Sequence, residues 1–327
     1  TLCMKKTFFL LMAASAVFVG CQKNTTTDFI SDQVIENAST GRQCASQEVY
    51  EQQLKADPTR AQRMQAIEDF TQQAIRENAG RLVNGVIEIP VVVNVLYRTT
   101  TQDISLTQIN SQIAVLNADF AATNTDYNNT PTVFQSLRSG NTNIRFVLSQ
   151  VIRKSTTKTS WSTNNAMKIS SQGGLNPTTP TTHLNIWVCN LSNGILGYAQ
   201  FPGGASATDG VVIDDNAFGT TGTATAPFNK GRTATHEVGH WANLRHIWGD
   251  ATCGSDLVND TPLHNTANYG CPAAGHRSTC TGTPVEMTMN YMDYTDDACM
   301  YMFSLGQSAR MKAVFAVGGP RNSFAQP

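Results

Sequence analysis

The most specific chemistry in this chain is indicated by two histidines in the sequence HEVGH, residues 236–240. Four steps along an α-helix rotate a side chain by about 400°, so His236 and His240 would lie one turn apart on one helix face. Two neutral imidazoles in this arrangement can chelate one Zn²⁺ ion. Glu237 could then reach the remaining coordination position and take a proton from a water molecule there.

A third histidine, His246, follows six residues after His240. On a continued helix its side chain would point about 240° away from the other two, so the helix must end and the chain must turn back. Asn243 lies where this turn is needed, and asparagine tolerates the left-handed backbone conformation that ends many helices. Three histidines with water as the fourth ligand are typical of a catalytic zinc.

Two other interpretations of these residues have to be weighed. An ordinary surface helix with two histidines is disfavoured, because half of the six histidines in the chain fall within residues 236–246. A rival class of zinc peptidase takes its third ligand from a glutamate on a later helix. The only glutamate after His240 is Glu286, in a stretch rich in proline and threonine. Asp250 remains a stand-in for that ligand, although the spacing favours His246.

The stretch from His236 to His246 resembles the long zinc motif of metzincin metallopeptidases, and the sequence NYMDY at residues 290–294 resembles their Met-turn. Within the metzincins the chain is most similar to the pappalysin family, and the similarity covers roughly residues 86–317. Further segments that resemble the family are residues 187–191, 197–204, 246–250, 260–262 and 294–297. One departure is Asn243, where metzincins usually have glycine, and asparagine adopts the required backbone at some strain.

The resemblance implies a zinc metalloendopeptidase and assigns roles to further residues. Glu237 would pass the proton of the attacking water to the leaving amine, and Tyr294 would stabilise the oxyanion of the tetrahedral intermediate. Met292 would be the Met-turn residue, which supports the site without contacting substrate. Residues 197–204 would be an edge strand that binds extended substrate by strand addition.

The resemblance also implies a calcium site in the loop after the zinc helix, with the oxygen ligands Asp256, Asp260 and Thr261. These three residues could instead simply form turns. Some pappalysin relatives cut before Arg or Lys and hold that side chain with an acidic group at the base of the pocket. Asp296 and Asp297 are the candidates for this group, and the sequence does not decide which of them points inward.

Four cysteines lie between residues 253 and 299, in a stretch rich in Gly, Pro, Asn and Asp. Cross-links would order such a stretch, and an exported protein meets oxidising conditions in which disulfides form. A structural metal site is disfavoured, because the spacing contains no C-x-x-C motif. The resemblance implies the pairs Cys253–Cys280 and Cys271–Cys299. Cys44 and Cys189 are then left single, and we expect Cys189 to be a buried small residue of a strand.

The first twenty residues resemble an export signal. Lys5 and Lys6 precede an apolar run at residues 8–20, which is shorter than the ~20 residues that span a bilayer. The run ends directly before Cys21, as in bacterial lipoprotein signals, where this cysteine is lipidated; an ordinary signal peptide with an accidental cysteine is the alternative. We expect an outer-membrane or cell-surface lipoprotein, or a protein secreted after processing, that contacts the membrane only through this lipid anchor.

The remaining chain divides by composition into a lipidated tether at residues 21–43, a propeptide at 44–80 and a catalytic domain at 81–327. The tether is rich in Thr and Asn, and the propeptide is the most charged part, with one or two helices interrupted at Pro58. We expect the propeptide to keep the enzyme latent until a cut near Arg76 or Arg81.

Cys44 is the candidate for the latency switch, because its thiolate could occupy the open zinc position. Asp57 is the alternative ligand for that position. A flexible linker with an idle cysteine remains the simpler interpretation.

The elements that must position these residues can be predicted from apolar patterning. Leu106, Ile109, Ile113, Leu116 and Phe120 form one stripe of a helix that Ser105 and Gln108 would cap. A second helix is predicted from Ser304 to Phe315, with Gln307 completing a capping box. Strands are predicted at residues 86–97, 143–153, 184–190 and 210–214. This order indicates an α/β or α+β fold. The resemblance implies a metzincin-type catalytic domain, with a twisted mixed sheet, backing and active-site helices, and an irregular disulfide-bonded C-terminal subdomain.

The composition of the 327 residues excludes several functions. Hydrophobic residues make up 40% of the chain, which suffices for a full core. The 23 Lys and Arg balance 24 Asp and Glu, and no basic stripe supports binding to nucleic acid or to an anionic membrane surface. The resemblance implies polypeptide substrates, and we expect a monomer. A non-catalytic surface-binding lipoprotein and a cell-wall peptide amidase on the same scaffold are the alternative functions.

Overall fold

A computed structural model describes residues 41–77 and 85–325. These residues belong to one compact unit, 37–327. The predicted signal peptide, the lipidation residue Cys21 and the candidate cleavage residue Arg81 lie outside the described residues. Within the described ranges, no helix is both long enough and apolar enough to cross a membrane.

A five-stranded mixed sheet forms the centre of the fold, with the strand order β2-β1-β3-β5-β4. The strands are β1 (Ile87–Tyr97), β2 (Ile144–Ser155), β3 (Leu184–Cys189), β4 (Gly197–Ala199) and β5 (Val211–Asp214). All neighbours are parallel except β4, which runs antiparallel to β5 at the edge of the sheet. The four strand predictions and the mixed sheet are confirmed. The predicted edge strand is present but short: β4 covers three residues of the stretch 197–204.

The described residues form five α-helices: α1 (Ser46–Ala56), α2 (Arg60–Arg76), α3 (Leu106–Phe120), α4 (Arg232–Trp241) and α5 (Leu305–Phe315). Helix α3 packs against β2. Ile109, Leu116 and Phe120 of the predicted apolar stripe are buried, whereas Leu106 at its start is 53% exposed. Ser105 caps α3 as expected, but the Gln108 side chain donates to Phe218 O instead of returning to the cap. The predicted capping box of Ser304 and Gln307 at α5 is complete.

Irregular backbone connects α4 to α5. The disulfides Cys253–Cys280 and Cys271–Cys299 cross-link this connection, with Cα–Cα distances of 5.7 and 5.6 Å, so the predicted pairing is confirmed. Buried polar groups also stabilise this connection. For example, the Asp293 carboxylate accepts hydrogen bonds from the backbone N–H groups of Asn268 and Tyr294. Cys189 is unpaired and buried in β3, as expected.

The segment before the catalytic part packs onto it. Helices α1 and α2 are separated around Pro58, as predicted, and α2 lies against α5. The chain before α1 passes the edge of the sheet, where Cys44 forms a parallel bridge with Gly197 of β4. Arg42, which the sequence placed in the flexible tether, is only 1% exposed. The ordered segment therefore begins earlier than residue 44.

Candidate active site

Three histidine nitrogens converge at one point below the edge strand. His236 and His240 lie one turn apart on α4, and their Nε2 atoms are 3.1 Å apart. The Nε2 atom of His246 lies 3.0 Å from that of His240. His246 reaches this position because α4 ends and Asn243 takes a left-handed conformation with φ of 76°, as predicted for this turn.

The other ring nitrogens explain why these three atoms face one another. Nδ1 of His236 lies 2.6 Å from Tyr291 O, and Nδ1 of His240 lies 2.8 Å from Leu244 O. Nδ1 of His246 lies 2.5 Å from Asp250 Oδ1. Protons on Nδ1 leave three Nε2 lone pairs directed at the same space, an arrangement that a zinc ion satisfies.

Burial keeps the imidazoles of His236 and His240 neutral. Together with the neighbouring histidines, it lowers the pKa of His236 and brings the pKa of His240 to about 3. Zinc binds neutral imidazole, so the electrostatics agree with the geometry. Asp250, which sequence reasoning kept as a substitute ligand, instead accepts a hydrogen bond from the third ligand. Glu286 accepts hydrogen bonds from Asn265 and Asn268 in the C-terminal loops.

Cys44 completes this cluster. Its Sγ atom and one ring nitrogen each of His236, His240 and His246 all lie within 4.8 Å of one another. Burial and the neighbouring Glu237 raise the pKa of the Cys44 thiol, whereas a metal ion at this point favours the thiolate. Asp57, the alternative to Cys44, is instead surface-exposed, and its carboxylate accepts a hydrogen bond of 2.6 Å from Arg63.

Glu237 is engaged by the same N-terminal segment. Its Oε2 atom accepts a hydrogen bond of 2.8 Å from Ser46 Oγ and lies 3.4 Å from Cys44 Sγ. Burial raises the pKa of Glu237 to about 7, although the Ser46 hydrogen bond opposes this. Ser46 Oγ also accepts a hydrogen bond of 2.8 Å from the N–H group of Ala199 on the edge strand. Ser46 was missed by sequence reasoning, since one hydroxyl in a charged segment gives no signal.

Tyr294 lies next to the histidine cluster. Its ring packs against His246 and Trp248, with centroid distances of 4.9 and 4.7 Å. Its hydroxyl donates a hydrogen bond of 3.0 Å to the carbonyl oxygen of Cys44. Burial raises the pKa of this phenol, so it remains a proton donor at neutral pH. The hydroxyl is thus already hydrogen-bonded to a peptide carbonyl next to the histidines.

Met292 lies in a turn below α4 and is fully buried. A Cβ atom at Gly239 would come within 2.5 Å of Met292 Sδ, so any larger residue at position 239 would force the Met292 side chain to move. The backbone O of Met292 accepts a hydrogen bond of 3.1 Å from Ile247, and the neighbouring Tyr291 O contacts His236. The turn therefore supports two of the three histidine segments.

Arg42 is buried next to α4 and pairs with one of the two candidate acids. The Arg42 guanidinium donates a hydrogen bond of 2.6 Å to Asp297 Oδ1 and one of 2.8 Å to Thr233 Oγ1. Asp297 is fully buried, and its Oδ2 atom accepts the backbone N–H of Lys230. Of the two candidate acids, Asp297 points inward, while Asp296 is half-buried. Arg42 was missed, because a single arginine in a polar stretch is typical of a tether.

The predicted calcium residues separate into two groups. Thr261 Oγ1 lies 2.9 Å from both carboxylate oxygens of Asp256 and 2.9 Å from Val258 O. Burial raises the pKa of Asp256 to about 6. Asp260 does not join this oxygen cluster through hydrogen bonds, because its carboxylate accepts from Ser304 Oγ and Gly306 N at the start of α5.

Comparisons with known proteins agree with this geometry. The model of peptidase family M43, described as pregnancy-associated plasma protein-A, matches residues 178–316. An extracellular metalloprotease from Pyricularia oryzae is 38% identical over 205 residues, which cover 58% of this chain and 69% of the relative. An extracellular metalloprotease from Verticillium alfalfae is 33% identical over 241 residues, which cover 70% of this chain and 78% of the relative.

Two solved structures are similar over most of the chain. A mutant of promirolysin from Tannerella forsythia has a TM-score of 0.79 at 43% identity, and the match covers 87% of this chain and 97% of that chain. Mature mirolysin from the same organism, in complex with a cleaved peptide, has a TM-score of 0.71 at 46% identity. That match covers 73% of this chain and 96% of that chain.

The predicted fold class and reaction class are confirmed together. The three histidines and Glu237 are all present, and the relatives are peptidases, so neither a non-catalytic lipoprotein nor a cell-wall amidase is favoured. The substrates of this peptidase family are polypeptides. The chain belongs to the pappalysin family of metzincins and is a zinc-dependent metalloendopeptidase.

Proposed function

We propose that this chain is the latent precursor of an exported zinc endopeptidase, in which Cys44 occupies the position of the catalytic water. The observation that carries the proposal is the convergence of Cys44 Sγ with the three histidines. The same short segment engages Glu237 through Ser46 and Tyr294 through the Cys44 carbonyl. A cleft blocked at the metal, the base and the phenol cannot accept a substrate.

Removal of the segment frees the residues that carry the reaction. His236, His240 and His246 hold the zinc ion, which supplies Lewis acidity toward the scissile carbonyl and the water. Glu237 takes the proton of the water and passes it to the leaving amine. Tyr294 donates its hydrogen bond to the oxyanion instead of to the Cys44 carbonyl.

The solved relatives support a precursor. Promirolysin covers 87% of this chain, whereas mature mirolysin covers 73%, so the longer form resembles more of the chain than the mature form does. The segment 41–77 packs on the catalytic part, and a cut near Arg76 or Arg81 would break the covalent link between the two. The position of Asp57 on the surface, paired with Arg63, supports Cys44 as the blocking residue.

The Arg42 pocket indicates which peptide bonds the mature enzyme cuts. A substrate Arg or Lys that follows the scissile bond can fill the pocket that Arg42 fills here, with its charge against Asp297. Self-processing before Arg76 or Arg81 agrees with this preference. Asp297 is therefore the proposed specificity residue, and Asp296 is not.

Three further properties belong to the proposal. Calcium fits the cluster of Asp256, Thr261 and Val258 O, because one hydroxyl proton cannot satisfy three oxygens at 2.9 Å. Export is supported by the positive and apolar start of the chain and by the extracellular relatives. Cys21 is the proposed lipid-anchor residue, and the protein acts as a monomer.

Latency is tested with the purified precursor carrying Cys44→Ala. We expect it to hydrolyse a denatured protein, or to process itself, sooner than the unmodified precursor. The matched control is Asp57→Asn, which should stay latent for as long as the unmodified precursor. Zinc content is measured in all three proteins and should remain one ion per chain. Identical latency of Cys44→Ala and the unmodified precursor would exclude Cys44 as the switch.

A further inference from the structure

Helix α2 binds the catalytic part through an ion pair that is separate from the histidine cluster. Arg310 of α5 donates hydrogen bonds of 2.8 and 2.5 Å to the two carboxylate oxygens of Glu68. Arg310 is fully buried, and Glu68 is 16% exposed. Burial alone would raise the pKa of Glu68, but the hydrogen bonds and charge of Arg310 lower it overall. A bidentate pair of this kind is directional and strong.

The same ion pair reaches the turn that positions the third histidine. The Nε atom of Arg310 donates a hydrogen bond of 2.7 Å to the backbone O of Asn243. Asn243 Nδ2 donates in turn to Thr71 Oγ1 of α2, at 3.3 Å. Thr71 is fully buried, so α2 and α5 enclose the Asn243 turn between them.

The first turn of α2 binds the chain that follows the edge strand. Arg60 is 1% exposed and donates hydrogen bonds of 2.7 and 3.1 Å to the backbone O atoms of Pro202 and Phe201. A Cβ atom at Gly203 would lie 2.6 Å from Ile67 Cδ1, so the helix and this chain are in close contact. Helix α2 therefore contacts the catalytic part along its length.

We propose that Arg310, Asn243 and residues 201–203 form a docking surface that retains α2 independently of Cys44. The inference rests on the proposed latency of the precursor. Its consequence is that a cut between α2 and β1 leaves the segment bound and the cleft closed. Activation then needs a second event that detaches the Cys44 segment from α2, such as a further cut in the exposed connection between α1 and α2.

The physical reason is that the cut does not alter any of these contacts. The cut removes the covalent link, and with it the high effective concentration of the segment. The Glu68–Arg310 pair, the Thr71–Asn243 hydrogen bond and the Arg60 contacts all remain. Dissociation would leave the buried Arg310 charge without Glu68, which opposes release.

The test uses the full chain with a recognition sequence for an unrelated protease in place of residues 78–84. Glu237→Ala is included in every sample to prevent self-processing. After the cut, the rate at which the segment separates is measured by gel filtration and by a fluorophore on the segment. Because no sample is active, retention of the segment is measured separately from latency. The segment can stay bound even if Cys44 is not the latency switch, and it can separate even if Cys44 is.

We expect the cut protein to elute as one complex, and to do so with Cys44→Ala as well. Adding Glu68→Gln to Cys44→Ala should speed separation at least tenfold. The matched control is Asp69→Asn, which removes the same charge from the exposed face of α2 and should leave the rate unchanged. Thr71→Val is a second variant, expected to speed separation severalfold if Glu68→Gln does not fold. Immediate separation of the cut Cys44→Ala protein, or equal rates for the Glu68 and Asp69 variants, would overturn the proposal.

Discussion

The two halves of the catalytic part, residues 85–241 and residues 242–325, hold their active-site residues by different means. The first half presents His236, Glu237 and His240 on α4, which packs against β4 and β5 of the sheet. The second half presents His246 and Tyr294 on irregular backbone and Asp297 at the start of a short 3-10 helix. There, two disulfides and buried polar contacts replace the regular hydrogen bonds of the sheet.

The two halves should therefore respond differently to substitution. Residues on α4 keep their geometry when one side chain is truncated, because the helix and sheet are held by backbone hydrogen bonds and apolar burial. Residues of the second half depend on a few specific cross-links. Variants in the first half should therefore affect turnover without affecting folding, whereas variants in the second half should affect both.

The largest expected effect is that of Glu237→Ala in the activated enzyme. Loss of the general base should lower kcat by about 10²–10⁴-fold while zinc stays bound, because the three histidines are unchanged. The measurement is turnover of a denatured protein together with metal analysis and a thermal melt. Chelation should abolish activity in the unmodified enzyme, and zinc should restore it. Equal turnover of the variant and the unmodified enzyme would contradict the assigned role.

The second effect concerns the cross-links. Replacing Cys253 and Cys280 together with alanine should lower the free energy of unfolding by about 3 kcal/mol, since the bond closes a loop of 27 residues. Hydrogen exchange should show that protection is lost first between α4 and α5 and kept in the sheet. Uniform loss of protection in both halves would show that they are not supported separately.

The third effect concerns specificity. Asp297→Asn should lower kcat/KM for substrates with Arg or Lys after the cut by roughly 10–100-fold, because the pocket loses its charge but keeps its shape. Cleavage before uncharged residues should change little. The control is Asp296→Asn, which should leave the profile unchanged. A peptide-library profile decides between them, and an unaltered basic preference in the Asp297 variant would exclude that residue.

The smallest effect is expected for Met292→Leu. The volume and apolar character are kept, so stability should fall by less than about 1.5 kcal/mol. Activity should stay within a few-fold, because Met292 supports the site without contacting substrate. A thermal melt and the zinc dissociation constant are the measurements. A large loss of zinc affinity would show that the sulfur does more than fill space next to Gly239.

Sequence reasoning succeeded where a local pattern fixes the structure. The histidine spacing, the left-handed Asn243 and the strand spans all depend on neighbours within a few residues. It failed for Arg42, Ser46 and the pair formed by Glu68 and Arg310. These contacts join residues 255, 191 and 242 positions apart, and nothing in the local sequence of either partner indicates the other. The disulfide pairing was available only through the resemblance, for the same reason.

The short stretch from Arg42 to Cys44 also outlines an inhibitor. The Arg42 guanidinium pairs with Asp297, and the Cys44 thiol lies next to the three imidazoles. A single residue separates Arg42 from Cys44. When one of two closely joined groups binds its site, the other is held near its own site at roughly millimolar or higher effective concentration. Each group therefore strengthens the binding of the other. A thiol-bearing arginine mimetic is therefore the smallest pharmacophore that the chain itself supplies. Its cationic arm would favour this enzyme over metallopeptidases whose pockets lack an acid.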